Sequence, residues 1–252
     1  MTTATVRVHT PRTLGLLGQT VVVIGGSAGI GLETARRARS EGADIILTAR
    51  NPERLNQAAA ELGAVSRAAF DASDPDSLAR LFESLSGPID HVMVGGPGPR
   101  YGRPLEMDPE EARRAFSERA VLTLVVAKNA VGMVRAGGSL VFIGGTGGRR
   151  ITPGYEVVAA VTAAMPALTA SLALDLAPIR VNLIAPGFVD TPLSAGLLGD
   201  GLEARRAELR TKLPIGRVVG PADVAALAVH LMINTAVTGA TYDIDGGQQF
   251  VA

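Results

Sequence analysis

At 252 residues the chain can bury a sizeable core in one domain, and with 47% hydrophobic but only 4% aromatic residues that core must be built from Ala, Val, Leu and Ile, as in helices packed on a parallel sheet. The 24 Lys and Arg balance 24 Asp and Glu, which leaves none of the basic excess of a nucleic-acid binder or a polybasic membrane anchor. The absence of cysteine excludes disulfides, zinc thiolates and a cysteine nucleophile, and His9, His91 and His230 stand too far apart in sequence to suggest a metal site.

The first twenty residues include Arg7, His9, Pro11 and Arg12 and lack the continuous apolar stretch of a signal peptide, so a cytoplasmic location is expected. Residues 1–16 read as an N-terminal extension and 17–252 as the domain. A β-branched run at 21–25 ends in glycine and is followed by a helical segment at 29–40, which together form a strand-turn-helix opening. The alternation continues with a strand at 43–48, a helix at 52–62 capped by Asn51, a strand at 65–70, a helix at 74–85 and a strand at 91–94.

A helix at 109–135, broken near its start, then leads to a strand at 139–143, and a helix at 157–176 leads to a strand at 181–184. The uncharged run 157–174 is long enough to raise the question of a membrane span. It contains Thr162, Pro166, Thr169 and Ser171 and runs straight into Asp175, which favours a buried or interface helix. Residues 190–214 read as an inserted helical flap, Pro221 opens another helix, and 241–244 forms a last strand. The expected fold is α/β: a Rossmann-type doubly wound sheet of about seven parallel strands with helices on both faces, in a single domain.

The strongest chemical signal is Gly25-Gly26-Ser27-Ala28-Gly29-Ile30-Gly31, between a predicted strand and a predicted helix. Glycines there let the backbone turn tightly and approach a pyrophosphate, and the amides at the helix N-terminus favour its negative charge. The same residues could also be a packing turn, and it is their context that favours a nucleotide.

The spacing of Gly25, Gly29 and Gly31 resembles the short-chain dehydrogenase/reductase family. The resemblance extends from about Leu17 onward, through Asp71 after the third strand, Arg180-Val181-Asn182 leading to Pro186-Gly187, and the closing Asp245-Gly246-Gly247. It implies that Asp71 and Ala72 flank an adenine and that Val189 and Thr191 hold a nicotinamide end. The glycine turn, Gly95-Gly96 after the fourth strand and Pro186-Gly187 complete the implied cofactor frame. At the end of the second strand, where an NAD site presents a carboxylate, the chain has Ala49 followed by Arg50 and Asn51. A guanidinium there can pair with a 2′-phosphate, so NADP(H) is the expected cofactor.

Active members of the family use a serine after the fifth strand and a Tyr-x-x-x-Lys pair on the next helix. An ungapped count backward from Ser171–Asn182 places Gly145, Val158 and Thr162 at those positions. The fourth-strand asparagines are replaced within Val94-Gly95-Gly96-Pro97, and residues 118–123 offer no asparagine for a proton relay. Tyr155 is the candidate catalytic group, with Arg100, Tyr101, Arg103, Thr146, Arg149 and Arg150 as candidate substrate contacts on neighbouring loops. Two readings stay open. One is an NADP(H)-dependent oxidoreductase with an atypical site acting on a small carbonyl, alcohol or imine, and Pro186, Gly187 and Thr191 favour it. The other is an NADP(H)-binding homologue without redox turnover. The resemblance also implies a homodimer or homotetramer through the long helices, and the expected ligands are small molecules, with no nucleic acid, membrane or metal.

Overall fold

A computed structural model describes residues 14–96, 98–103, 105–149 and 151–251. Seven strands, all paired in parallel, form one sheet in the order β3-β2-β1-β4-β5-β6-β7. They are β1 (Thr20–Ile24), β2 (Asp44–Ala49), β3 (Ser66–Ala69), β4 (Ile89–Val94), β5 (Val134–Ile143), β6 (Arg180–Pro186) and β7 (Thr241–Ile244). The order reverses between β1 and β4, so the chain leaves a crevice there at the carboxyl ends of the strands, where ligands bind in open α/β sheets.

Helices α1 (Gly29–Ser40), α2 (Pro52–Leu62) and α9 (Pro221–Ile233) contribute to one layer, in which Ala35, Leu55 and Val224 meet Val21 and Val23. The opposite layer draws on α3 (Pro75–Glu83), α5 (Leu122–Ala130) and α6 (Glu156–Asp175), with Leu78, Val126 and Met165 against Val22 and Ile24. Successive β1 side chains alternate between the two layers, as the two-residue period of a strand requires. Leu16 is fully buried in the first layer, so core packing reaches back to the predicted extension; its residues 1–13 lie outside the described residues.

The predicted helix at 109–135 ends earlier and is interrupted later than expected. It consists of α4 (Pro109–Phe116), a π-helical turn (Ser117–Val121) and α5, ending at Ala130. Strand β5 starts at Val134, five residues before the predicted start, because its glycines permit an irregular entry. Gly137 takes φ 81°, a Cβ on Gly138 would collide with the Asp90 carbonyl, and the register shifts between Ile89 and His91. The flap comprises α7 (Pro192–Leu198) and α8 (Leu202–Lys212).

Helix α6 is long and apolar enough to cross a membrane, yet Val157, Val161, Met165 and Leu172 face inward and it packs on β6 and the π turn. Its outward residues include Ala160, Ala163, Ala164, Ala167 and Leu174.

Candidate active site

The crevice begins at the glycine turn between β1 and α1. Gly25 adopts φ 84°, and the N–H groups of Gly25 and Gly26 both donate to Thr48 O at 2.9 Å, which ties the turn to the end of β2. A Cβ on Gly31 would overlap the Gly25 carbonyl, so helix and turn approach as closely as only glycine permits. Ala28, the N-cap of α1, offers no side-chain cap, so the first-turn amides of Gly29, Ile30 and Gly31 are presented toward the crevice beside Ser27. A Cβ on Gly25 would meet Gly95 O at 3.1 Å, and one on Gly29 would meet Thr191 at 3.5 Å. The turn, the end of β4 and the base of the flap therefore share one cradle floored by backbone.

At one end of this cradle β2 closes on buried Ala49 and exposed Arg50. The Asn51 side chain accepts from Arg54 N at 2.8 Å as the cap of α2, which commits its oxygen to the helix. Asp71 accepts from Ser73 N at 2.9 Å and Ser73 Oγ at 2.8 Å, and these bonds, with the nearby Arg50 charge, hold its carboxyl below the usual range. Ala72 packs at the edge of the second core layer. A surface hollow of about 490 Å³ beside the turn brings Arg54 near Ser27 and Gly29, a neighbour that sequence reasoning missed.

At the other end β6 stops at Pro186. A Cβ on Gly187 would collide with Asp245 and Gln248, and Phe188 N donates to Gln248 Oε1 at 2.8 Å. Buried Val189 bridges to Val219, and Asp190 N donates to Val219 O at 2.9 Å. Thr191 caps α7 through Ser194 N at 3.3 Å, and Arg206 of α8 reaches Asp190 at 2.6 Å. The role of Gln248 was not apparent from sequence because its partner lies sixty residues upstream.

The three positions that the resemblance assigns to acid-base chemistry do meet. A Cβ on Gly145 would face Thr162 Cγ2 at 3.4 Å, and Gly147 faces both Thr162 Oγ1 and Val158 Cγ1 at 3.2 Å. Thr162 is buried, and its hydroxyl donates back to Val158 O at 2.8 Å and Ala159 O at 3.1 Å within its own helix. Gly145, Val158 and Thr162 thus converge without bringing an ionisable group.

The loops above them carry the ionisable and aromatic groups. Arg100 forms a two-pronged bridge to Glu118 at 2.5 and 3.0 Å, fastening the loop after β4 to the π turn. The next residue, Tyr101, packs on Tyr155 with ring centroids 4.6 Å apart and planes tilted by 56°, and Gly102 N donates to Gly154 O at 2.9 Å beside them. Burial and Tyr155 push the Tyr101 phenol up, while Arg205 and Arg119 act in the opposite direction. Arg103 bonds Glu106 at 3.4 Å, Thr146 opens a short 3-10 turn, Arg149 reaches Asp243 at 2.9 Å, and Arg150 lies outside the described residues.

Arg119 was not among the sequence candidates. Its Nη1 donates to Ile143 O at 2.6 Å at the end of β5, and a Cβ on Gly96 would stand 2.9 Å from that same nitrogen. A guanidinium desolvated by burial therefore lies between the ends of β4 and β5.

A family model described as enoyl-(acyl carrier protein) reductase matches residues 25–249. The short-chain dehydrogenase/reductase ATR9 of Stachybotrys chlorohalonatus is 32% identical over 250 residues, covering 91% of this chain and 96% of that protein. The NADP-dependent (R)-specific alcohol dehydrogenase of Lentilactobacillus kefiri is 31% identical, covering 92% of this chain and 97% of its own. The crystal structure of a small-chain dehydrogenase in complex with NADPH superposes with a TM-score of 0.80 at 30% identity, covering 92% of this chain and 99% of that one.

Proposed function

Since the chain belongs to the short-chain dehydrogenase/reductase family, we propose that it is an NADP(H)-dependent oxidoreductase with an atypical active site, acting on a small carbonyl, alcohol or imine substrate. The observation that carries this reading is the cradle joining Gly25, Gly29, Gly95 and Thr191 at the switch point of the sheet, with Arg50 rather than a carboxylate at the end of β2. The residues fit a dinucleotide, because the glycines open the space that a Cβ would fill. When bound, the cofactor supplies a hydride to the substrate or takes one from it.

The chain's own part follows from its residues. The first-turn amides of α1 hold the pyrophosphate, Arg50 pairs with the 2′-phosphate, and Asp71 and Ala72 flank the adenine. Val189 and Thr191 hold the nicotinamide end, with the preceding Phe188 N–H held by Gln248. Tyr155 and Tyr101, packed ring on ring, offer the phenols available for proton transfer, with Thr146 and the loop arginines beside the substrate path. The NADP preference is supported by the relative named as NADP-dependent and by the neighbour solved with NADPH.

One observation favours a second reading, a cofactor-binding protein without turnover: Gly145, Val158 and Thr162 provide no acid or base where they converge. Titration of the purified protein with NADPH and NADH, followed by an NADPH-oxidation screen against ketones, vicinal diketones and cyclic imines, separates the two. Selective binding with turnover supports the oxidoreductase, selective binding alone supports the second reading, and no binding overturns both.

We further propose a homodimer or homotetramer built through α4, the π turn, α5 and α6, whose outward residues Phe116, Val121, Leu124 and Leu174 are exposed. A monomer mass by light scattering would refute it.

A further inference from the structure

The oxidoreductase reading leaves open which group moves the proton, and the structure offers an arrangement that the sequence candidates did not include. Arg119 projects from the π turn to the end of β5, where it reaches Ile143 O, and its guanidinium lies against Gly96 at the end of β4. Any side chain at Gly96 would displace it. The neighbouring residue of the same turn, Glu118, holds Arg100, and Arg100 immediately precedes Tyr101. One ion pair therefore fastens the residue before Tyr101 to the residue before Arg119, while Tyr155 packs on the Tyr101 ring and Gly102 N donates to Gly154 O beside it.

We propose that Tyr101 is the catalytic proton donor of this site and that Arg119 is its cationic partner, a pair assembled from the β4 loop and the π turn instead of from successive turns of one helix. The proposal rests on the oxidoreductase reading. In the reductive direction the substrate's carbonyl carbon accepts hydride from the reduced nicotinamide cofactor, and its π pair moves onto oxygen. That oxygen takes the proton of Tyr101 Oη; the phenolate left behind is balanced by the guanidinium until solvent returns a proton. Tyr155 is a positioning residue that sets the Tyr101 ring.

The charged and titratable neighbours agree with this division. Tyr101 is faced by Tyr155 at the start of α6, Arg119 from the π turn and Arg205 from α8, while on its own loop Arg100 is held by Glu118 and Arg103 by Glu106. The Tyr101 phenol, partly exposed at 46%, is protonated at neutral pH as any phenol is, the state a donor needs, and the two cations favour the phenolate that forms.

The test uses the intact protein with Tyr101→Phe, Tyr155→Phe, Arg119→Met and Arg119→Lys. Three tyrosines and no tryptophan make phenolate absorbance readable, and subtraction of the Tyr101→Phe titration isolates Tyr101. The expected result is a loss of about a hundredfold or more in kcat for Tyr101→Phe toward whichever ketone or diketone the wild type reduces, with unchanged NADPH affinity and a smaller loss for Tyr155→Phe. Arg119→Met raises the Tyr101 ionisation midpoint, and Arg119→Lys restores much of the shift; should Arg119→Met fail to fold, the lysine variant carries the comparison against wild type. Wild-type activity in Tyr101→Phe, a larger loss in Tyr155→Phe, or a Tyr101 midpoint indifferent to residue 119 overturns the proposal. If the wild type binds NADPH but reduces nothing, the donor role falls with the oxidoreductase reading, and the titration alone still decides whether the pair exists.

Discussion

Arg180, at the start of β6, places Nη1 2.6 Å from the carbonyl oxygen of Leu231 in the last turn of α9. The same guanidinium donates to Met232 O at 2.7 Å and Asn234 O at 3.0 Å, so one buried side chain satisfies carbonyls that a helix C-terminus leaves unpaired. Arg180→Met strands these acceptors away from water and should lower unfolding stability by about 2 to 4 kcal/mol. Arg180→Lys, with a point charge in place of a fork, should lose less. Urea unfolding measures both, and a wild-type midpoint in the methionine variant would show that the cap contributes nothing.

His91 is 3% exposed on β4, between Ser139 Oγ at 2.9 Å and Gln19 Oε1 at 2.7 Å. Burial, assisted by the Arg180 charge and opposed by Asp90, lowers its pKa from 6.5 to about 4. The unfolded chain therefore takes up the proton before the folded one does. The contribution is fully present above pH 6.5 and is lost as the pH falls from there toward about 4. The loss amounts to about 3 kcal/mol at most. His91→Gln, compared with wild type by urea unfolding across that window, should show a flatter dependence on pH; parallel curves would discount the histidine.

Arg50 follows the buried Ala49 and carries the expected preference for a 2′-phosphate. Arg50→Ala should weaken NADPH binding by about ten- to a hundredfold, the loss of one charge-assisted pair, while NADH affinity stays nearly constant. Fluorescence titration of both cofactors reads the difference. Equal weakening of the two would show that the arginine supports the loop rather than the phosphate.

Gly31 is the point of closest contact between α1 and the turn. Gly31→Ala forces the helix away from the Gly25 carbonyl, which moves the first-turn amides off the pyrophosphate. NADPH affinity should fall by at least about tenfold together with a stability loss of about 1 to 3 kcal/mol. Wild-type affinity in a stable Gly31→Ala protein would place the pyrophosphate elsewhere.

The glycine turn and the strand ends that carry the expected cofactor contacts were legible in the sequence because they are local structure. The glycines at 25, 29 and 31 fall close together at the junction of β1 and α1, Arg50 follows its strand directly, and β7 was bounded correctly. The contacts around Tyr101, Tyr155 and Arg119 were not, because they join residues distant in sequence. Glu118-Arg119 reads as a solvated pair on a helix, and no side-chain pattern announced the π turn that redirects it. Tyr101 and Tyr155 belong to different loops, and the pairing of Arg149 with Asp243 spans most of the second half of the chain. The early entry of β5 was hidden by Gly137 and Gly138, which look like loop residues until the positive φ of the first and the Asp90 carbonyl against the second are seen.

Because all the strands of the sheet run the same way, the residues that secure the fold and those that line the crevice lie at opposite ends of it. His91 and Arg180 lie in the opening halves of their strands and Ser139 midway along β5, while Gly95, Gly145 and Pro186 stand where the strands finish. Substitutions on the loops beyond the strand ends therefore leave the buried bonds of His91 and Arg180 untouched. Such a scaffold can exchange one chemistry for another over evolutionary time while its architecture is inherited unchanged.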